Sequence, residues 1–77
     1  MLYHKLFKKI RLSKKITQLQ LAELLGRPQS FVSKYESGER KIELSEFFLI
    51  CNALDEAPTE LIKEIQKGIQ YGYTKKF

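Results

Sequence analysis

Gln29, Ser30, Ser33 and Lys34 recur at spacings of three and four, the repeat that lines up side chains on one face of a helix. Each carries groups that pair with base edges in a duplex. A glutamine amide is bidentate to adenine, a lysine donates to guanine, and a serine hydroxyl serves either role. Val32 and Tyr35 fall on the other face of the same segment, so it is chemically two-sided. A polar face is also what any soluble helix turns to water, so composition by itself leaves ordinary solvation open. Other chemistry finds little footing. There is no nucleophile with a matching base, no carboxylate pair held by an evident motif and no phosphate-binding glycine loop, so no enzyme is expected. Cys51 is the only cysteine, which excludes a disulfide within the chain. With His4 far away in sequence, it cannot complete a four-ligand zinc site. Cys51 is expected to fill the core as a small apolar group and His4 to be an exposed helix residue. No metal or cofactor is expected.

Seventy-seven residues allow one small domain, and that length argues against a multi-step enzyme. A core of this size supplies little net stability, so self-association is an expected support. There is no apolar run long enough for a membrane span and no signal-peptide pattern, which predicts a cytoplasmic protein. The charge is unevenly placed. Residues 1–41 hold ten Lys and Arg against three Glu, a net +7, whereas residues 42–77 hold four basic and six acidic groups, a net −2. A basic front part points to a polyanion, either nucleic acid or an anionic membrane surface.

Helical periods position these residues. Tyr3, Leu6, Phe7 and Ile10 form an apolar stripe, with Lys5, Lys8, Lys9 and Arg11 mostly on the other face. This segment alone would also suit a membrane-surface helix. Thr17-Gln18-Leu19-Gln20 fits a capping box, with Ile16 and Leu21 as the hydrophobic staple, so a second helix begins there. It carries Leu21, Ala22 and Leu25 inward and ends at Gly26. Pro28 is suited to a first helical position, and a third helix runs from it to near Gly38. Two short helices joined by a tight glycine-containing turn make a helix-turn-helix. Ala22 strengthens that reading, since a small side chain is needed where two helices cross closely. Leu44, Phe47, Phe48, Cys51 and Leu54 predict a fourth helix. Pro58 opens a fifth with Leu61, Ile62 and Ile65 on its apolar face, and Gly68 is its expected terminator.

Thr17-Gln18, Leu21-Ala22, Leu25-Gly26, the run Gln29 to Glu36 and Gly38-Glu39-Arg40-Lys41 together resemble the phage repressor and Cro type of helix-turn-helix, the XRE family. The resemblance covers roughly residues 4–65. It implies an all-α, compact five-helix bundle of the lambda-repressor-like type that binds operator DNA as a dimer. In such a fold the third helix enters the major groove and the second lies across the backbone. The resemblance places Gln29, Ser30, Ser33 and Lys34 at base-reading positions. Gln18 matches the family residue that hydrogen-bonds phosphate, aided by the helix N-terminus. Arg27, Arg40 and Lys41 are further backbone candidates. Phe31 either packs inward or lies against a thymine methyl. Glu43 stands near the N-cap of the fourth helix, where the family more often shows Ser or Thr; its charge still suits the helix dipole.

Residues 1–67 are thus expected to form the DNA-binding domain and residues 68–77 a tail for dimer or partner contact. In that tail Ile69, Tyr71 and Tyr73 alternate at a strand period, so a short C-terminal strand or a disordered end is expected. The expected partners are double-stranded DNA and a second copy of the chain. The fifth helix is the expected interface, supported by Leu49, which falls where the family is usually polar. The function implied is a sequence-specific transcriptional regulator, a repressor on a palindromic operator. Two alternatives share the fold: the antitoxin of a toxin-antitoxin pair, with a toxin as partner, and the controller of a restriction-modification operon.

Overall fold

Thr17 starts the second helix with both halves of its box made. Its hydroxyl oxygen accepts from the Gln20 N–H at 3.0 Å, and the Gln20 side-chain oxygen accepts from the Thr17 N–H at 2.9 Å. The helix stops at Gly26, whose φ of 67° is left-handed. No atom lies within 4 Å of where a Cβ would stand there, so the backbone angle rather than space asks for glycine. The N–H of Arg27 then returns to the Ala22 carbonyl at 3.0 Å, closing the turn. Thr17→Ala removes one of these caps and should lower unfolding free energy by about 1 kcal/mol. A urea denaturation midpoint unchanged by that substitution would show that the box is dispensable.

The computed structural model describes the backbone of residues 2–72 and the side chains of residues 3–68. Within it, α1 spans Leu2–Ser13, α2 Gln18–Leu25, α3 Gln29–Glu36, α4 Leu44–Ala53 and α5 Pro58–Gly72. The all-α expectation holds, with no strand among the described residues. The fifth helix differs from its expected length. It continues through Gly68 to Gly72, so Ile69 and Tyr71 belong to a helix and not to an alternating strand. A lone strand would leave its backbone groups unpaired, whereas continuing the helix satisfies them internally. Tyr73 lies outside the described residues.

α2 and α3 pack on each other more closely than any other helix pair, with Ala22 almost fully buried. An aromatic series runs from Phe31 through Tyr35, Phe7 and Phe47 in the core to Phe48 at the surface, with ring centroids 5.4–6.0 Å apart. It ties α3 to α1 and α4 through tilted and edge-on contacts, each of which adds about 0.5–1.5 kcal/mol beyond burial. Cys51 lies in this core as expected, and burial pushes its thiol pKa up.

Three expectations about faces are corrected. His4 is buried, not exposed. It covers Gly38, where a Cβ would stand 3.1 Å from the imidazole Cε1 and where φ is 85°. Glycine is required there by both space and angle. Arg11 is likewise buried; it lies one helical turn after Phe7 and shares its inward register. On α4 the inward stripe is Glu46, Phe47, Ile50 and Cys51, while Leu44 and Phe48 are exposed.

Candidate nucleic-acid interface

α3 carries its two faces as the sequence arranges them. Phe31, Val32, Tyr35 and Glu36 are buried, Gln29, Ser30 and Lys34 are exposed, and Ser33 is half-buried. The burial of Phe31 decides between its two readings in favour of packing. The Ser33 hydroxyl donates back to the Ser30 carbonyl at 3.2 Å, a local bond that leaves the Ser33 oxygen free to accept. Beyond α3, the N–H of Arg40 bonds the Lys34 carbonyl at 3.1 Å, which fixes the start of the following loop to the helix end.

A buried ion pair underlies this face. Arg11 Nε donates to Glu36 Oε2 at 2.6 Å and its Nη2 to Oε1 at 3.0 Å, with the two side chains only 7% and 2% exposed. A third donor of Arg11 reaches the Ile16 carbonyl at 2.8 Å. The Glu36 hydrogen bond holds the Arg11 pKa above its ordinary value, against the desolvation that would lower it. Gln18 joins the pair from α2, donating its Nε2 to Glu36 Oε1 at 3.0 Å. A carboxylate only accepts, so the Gln18 amide must turn its nitrogen inward and its oxygen outward. That oxygen accepts from Gln29 Nε2 at 3.5 Å, at the long limit for a hydrogen bond. Two predicted site residues, Gln18 and Gln29, are therefore brought together and oriented from beneath by the buried pair of Arg11 and Glu36.

Arg27 and Arg40 meet in a second cluster. Glu46 of α4 accepts from Arg40 at 2.8 and 3.0 Å and from Arg27 at 3.2 Å. It also accepts from the Glu43 N–H at 3.0 Å, bracing the N-terminus of α4 where the family more often has a Ser or Thr cap. These bonds, Arg40 first, hold the Glu46 carboxyl down at a pKa of about 2. Both guanidinium carbons lie over the Phe31 ring, 4.7 and 4.8 Å from its centroid. Lys34 and Lys41 are exposed, and the Lys41 carbonyl accepts from Arg40 Nη1 at 3.2 Å. Of the ten basic residues before position 42, four are in ion pairs among the described residues: Arg11, Lys14, Arg27 and Arg40.

Glu36, Glu46 and the buried role of Arg11 were missed from sequence, although a signal existed. Glu36 follows Val32 by four, Arg11 follows Phe7 by four, and Glu46 precedes Ile50 by four, so each charge falls in an apolar register. Opposite charges at inward positions of different helices point to buried pairing, because an isolated buried charge is too costly to keep.

A helix-turn-helix family model matches residues 7–61. Among solved structures, an XRE-family like protein from Pseudomonas syringae pv. tomato str. DC3000 is 38% identical, with a TM-score of 0.80 over 84% of this chain and 79% of that one. The restriction-modification controller protein C.AhdI from Aeromonas hydrophila is 32% identical, with a TM-score of 0.72 over 77% of this chain and 89% of that one. The wild-type controller protein C.Esp1396I is 26% identical, with a TM-score of 0.79 over 88% of this chain and 87% of that one. No curated protein gives a significant match. No helix among the described residues is long and apolar enough to cross a membrane.

Proposed function

The chain belongs to the XRE-type helix-turn-helix family of DNA-binding transcription regulators, and from that premise we propose that it binds a palindromic operator as a homodimer and represses the promoter it covers. The observation that carries this reading is the division of α3. Its inward face anchors the helix in the core, while Gln29, Ser30, Ser33 and Lys34 remain on the outward one. Gln29 suits adenine, since its side-chain oxygen and a second N–H stay unspent after the contact with Gln18. Lys34 suits guanine as a point donor. Gln18, at the first position of α2, serves phosphate through the second N–H of its amide nitrogen, the first being spent on Glu36, beside the free N–H groups of that helix. Lys41 adds a phosphate contact from the loop, with Arg27 and Arg40 beside it.

The homodimer is supported by apolar surface left open on α4 and α5. Leu44 and Ile62 are exposed and border a groove completed by Phe47, Ile65 and Gln66. Leu49 is half exposed but borders a separate hollow with Leu25, Arg27 and Phe31, so it adds to a different part of the surface. A single domain reads few base pairs, and two copies are needed for strong discrimination.

Selection of bound sites from a random duplex library tests the proposal. The expected product is an inverted repeat with half-site centres about 10 base pairs apart or a multiple of that. Its affinity should fall with salt at a log-log slope of about −0.9 per phosphate contact. Recovery of no enriched sequence would reject operator reading, and recovery of a single unrepeated site would reject the dimer. A second reading, control of a restriction-modification operon, is favoured by the likeness to C.AhdI and C.Esp1396I across most of each chain. Selected sites lying upstream of an endonuclease and methyltransferase gene pair would support it. The antitoxin alternative gains no support from the fold or from these relatives.

A further inference from the structure

Arg27 belongs to the turn before α3 and Arg40 to the loop after it, yet their guanidinium groups converge on one carboxylate and one ring. The carboxylate is Glu46, 7% exposed in its side chain, and the ring is Phe31 in the first turn of α3. The two arginine side chains are each more than a third exposed, so they are the outer layer of the cluster and Glu46 the inner one. We infer that Glu46 is a positioning residue that holds Arg27 and Arg40 as a preformed two-guanidinium clamp for one phosphate of the duplex backbone beside α3. The inference rests on the DNA-binding reading above and deepens it.

Two arguments carry the assignment. The first is charge and donor count. Two guanidinium groups bond one carboxylate, so one positive charge stays without a bonded counterion, with Glu43 the further acid near Arg40. Arg27 spends a single nitrogen on Glu46, and a guanidinium has five N–H donors in a fixed fork. Donors remain for an anion that arrives from the solvent side. The second is order. Arginine on a free stem loses rotamer freedom when it grips a phosphate, and that loss is reduced when the stem is already held. Here it is held at both sides of the planar group, by the carboxylate at its edge and the aromatic ring beneath.

An opposing effect sets up the test. Glu46 is itself negative, and if charge alone mattered its removal would strengthen binding to a polyanion. Positioning predicts the reverse. The full-length protein and Glu46→Gln are titrated by fluorescence anisotropy against the duplex recovered by selection, across a range of salt. Glu46→Gln should bind on the order of tenfold more weakly, as for the loss of one charge-assisted hydrogen bond, with a salt slope shallower by about one. A fold defect would weaken binding without that signature in the fraction still folded by circular dichroism. Arg27→Lys and Arg40→Lys provide an independent arm, since both lie at the surface and keep the charge while losing the shared fork. Each should weaken binding by a similar factor, and Glu46→Gln should add less than about twofold on the doubly substituted background, as coupled sites do. Binding by Glu46→Gln as tight as or tighter than the unaltered protein, or unchanged binding by both lysine variants, overturns the inference. Failure of the unaltered protein to bind any duplex overturns the functional reading and this inference with it.

Discussion

Glu36→Ala should leave the domain largely unfolded at 25 °C, whereas exposed glutamates of the same chain should tolerate the same change. The carboxylate it removes is 2% exposed and holds two donors of Arg11 together with the Gln18 amide. Arg11 would then stay 7% exposed with one acceptor left, the Ile16 carbonyl. It cannot escape by losing its proton, because a guanidinium stays protonated throughout the accessible pH range. Breaking a buried pair from one side costs about 3–5 kcal/mol. A chain this short has about that much net stability to lose. Urea denaturation followed by far-ultraviolet circular dichroism measures the difference, and a loss below about 1 kcal/mol would mean that water reaches Arg11. The double substitution Arg11→Met with Glu36→Leu should recover most of the stability, since apolar replacement of both partners removes the desolvation penalty. It should not restore DNA affinity, because Gln18 would have nothing to orient it. That divergence separates the role of the pair in folding from its role under the reading face.

Gln29→Ala is expected to relax discrimination at one base pair of each half-site by about 1–3 kcal/mol, and Lys34→Ala to do the same at a different pair. Both side chains are exposed on α3, so little stability is at stake and the change is read in binding. Lys41→Ala is the contrast. It should weaken specific and random duplex alike and lower the salt slope by about 1, as a phosphate contact does. The measurement compares the selected operator with single-base variants and with random duplex at one fixed salt concentration. Equal losses on all of them for Gln29→Ala would remove it from the base-reading set.

The parts of the fold that the sequence made legible are those governed by local chemistry. Thr17 and Gln20 are three residues apart, so their reciprocal cap needs no knowledge of the rest of the chain. Gly26 and Gly38 mark left-handed turns for the same reason, and the alternation of Val32 and Tyr35 with polar neighbours shows the two faces of α3. What stayed hidden depends on meetings across long sequence distances. Arg11 and Glu36 stand 25 residues apart. Each reads as a surface charge until its inward register is weighed against the cost of burying it. His4 reads as a terminal polar residue, and only the path of the chain after α3 brings Gly38 beneath its ring. Glu46 is hidden twice over, as a helix-start acid and as an anchor for two arginines from different segments. The strand expected at Ile69 and Tyr71 is a helix instead, because alternation over a few residues also fits a helix that simply continues, and the period alone does not separate the two.

The row of contacts from Arg11 through Glu36 and Gln18 to Gln29 bears on how such a protein can acquire a new target. Ser30 and Lys34 have no side-chain tie to the interior among the described residues, so they can be exchanged one at a time to sample other operators. Gln29 changes less freely, because a replacement without a side-chain N–H leaves the Gln18 oxygen without its partner while Glu36 keeps that amide in place. Drift in binding preference should therefore begin at positions 30 and 34, and a switch at 29 should arrive with a compensating switch at 18.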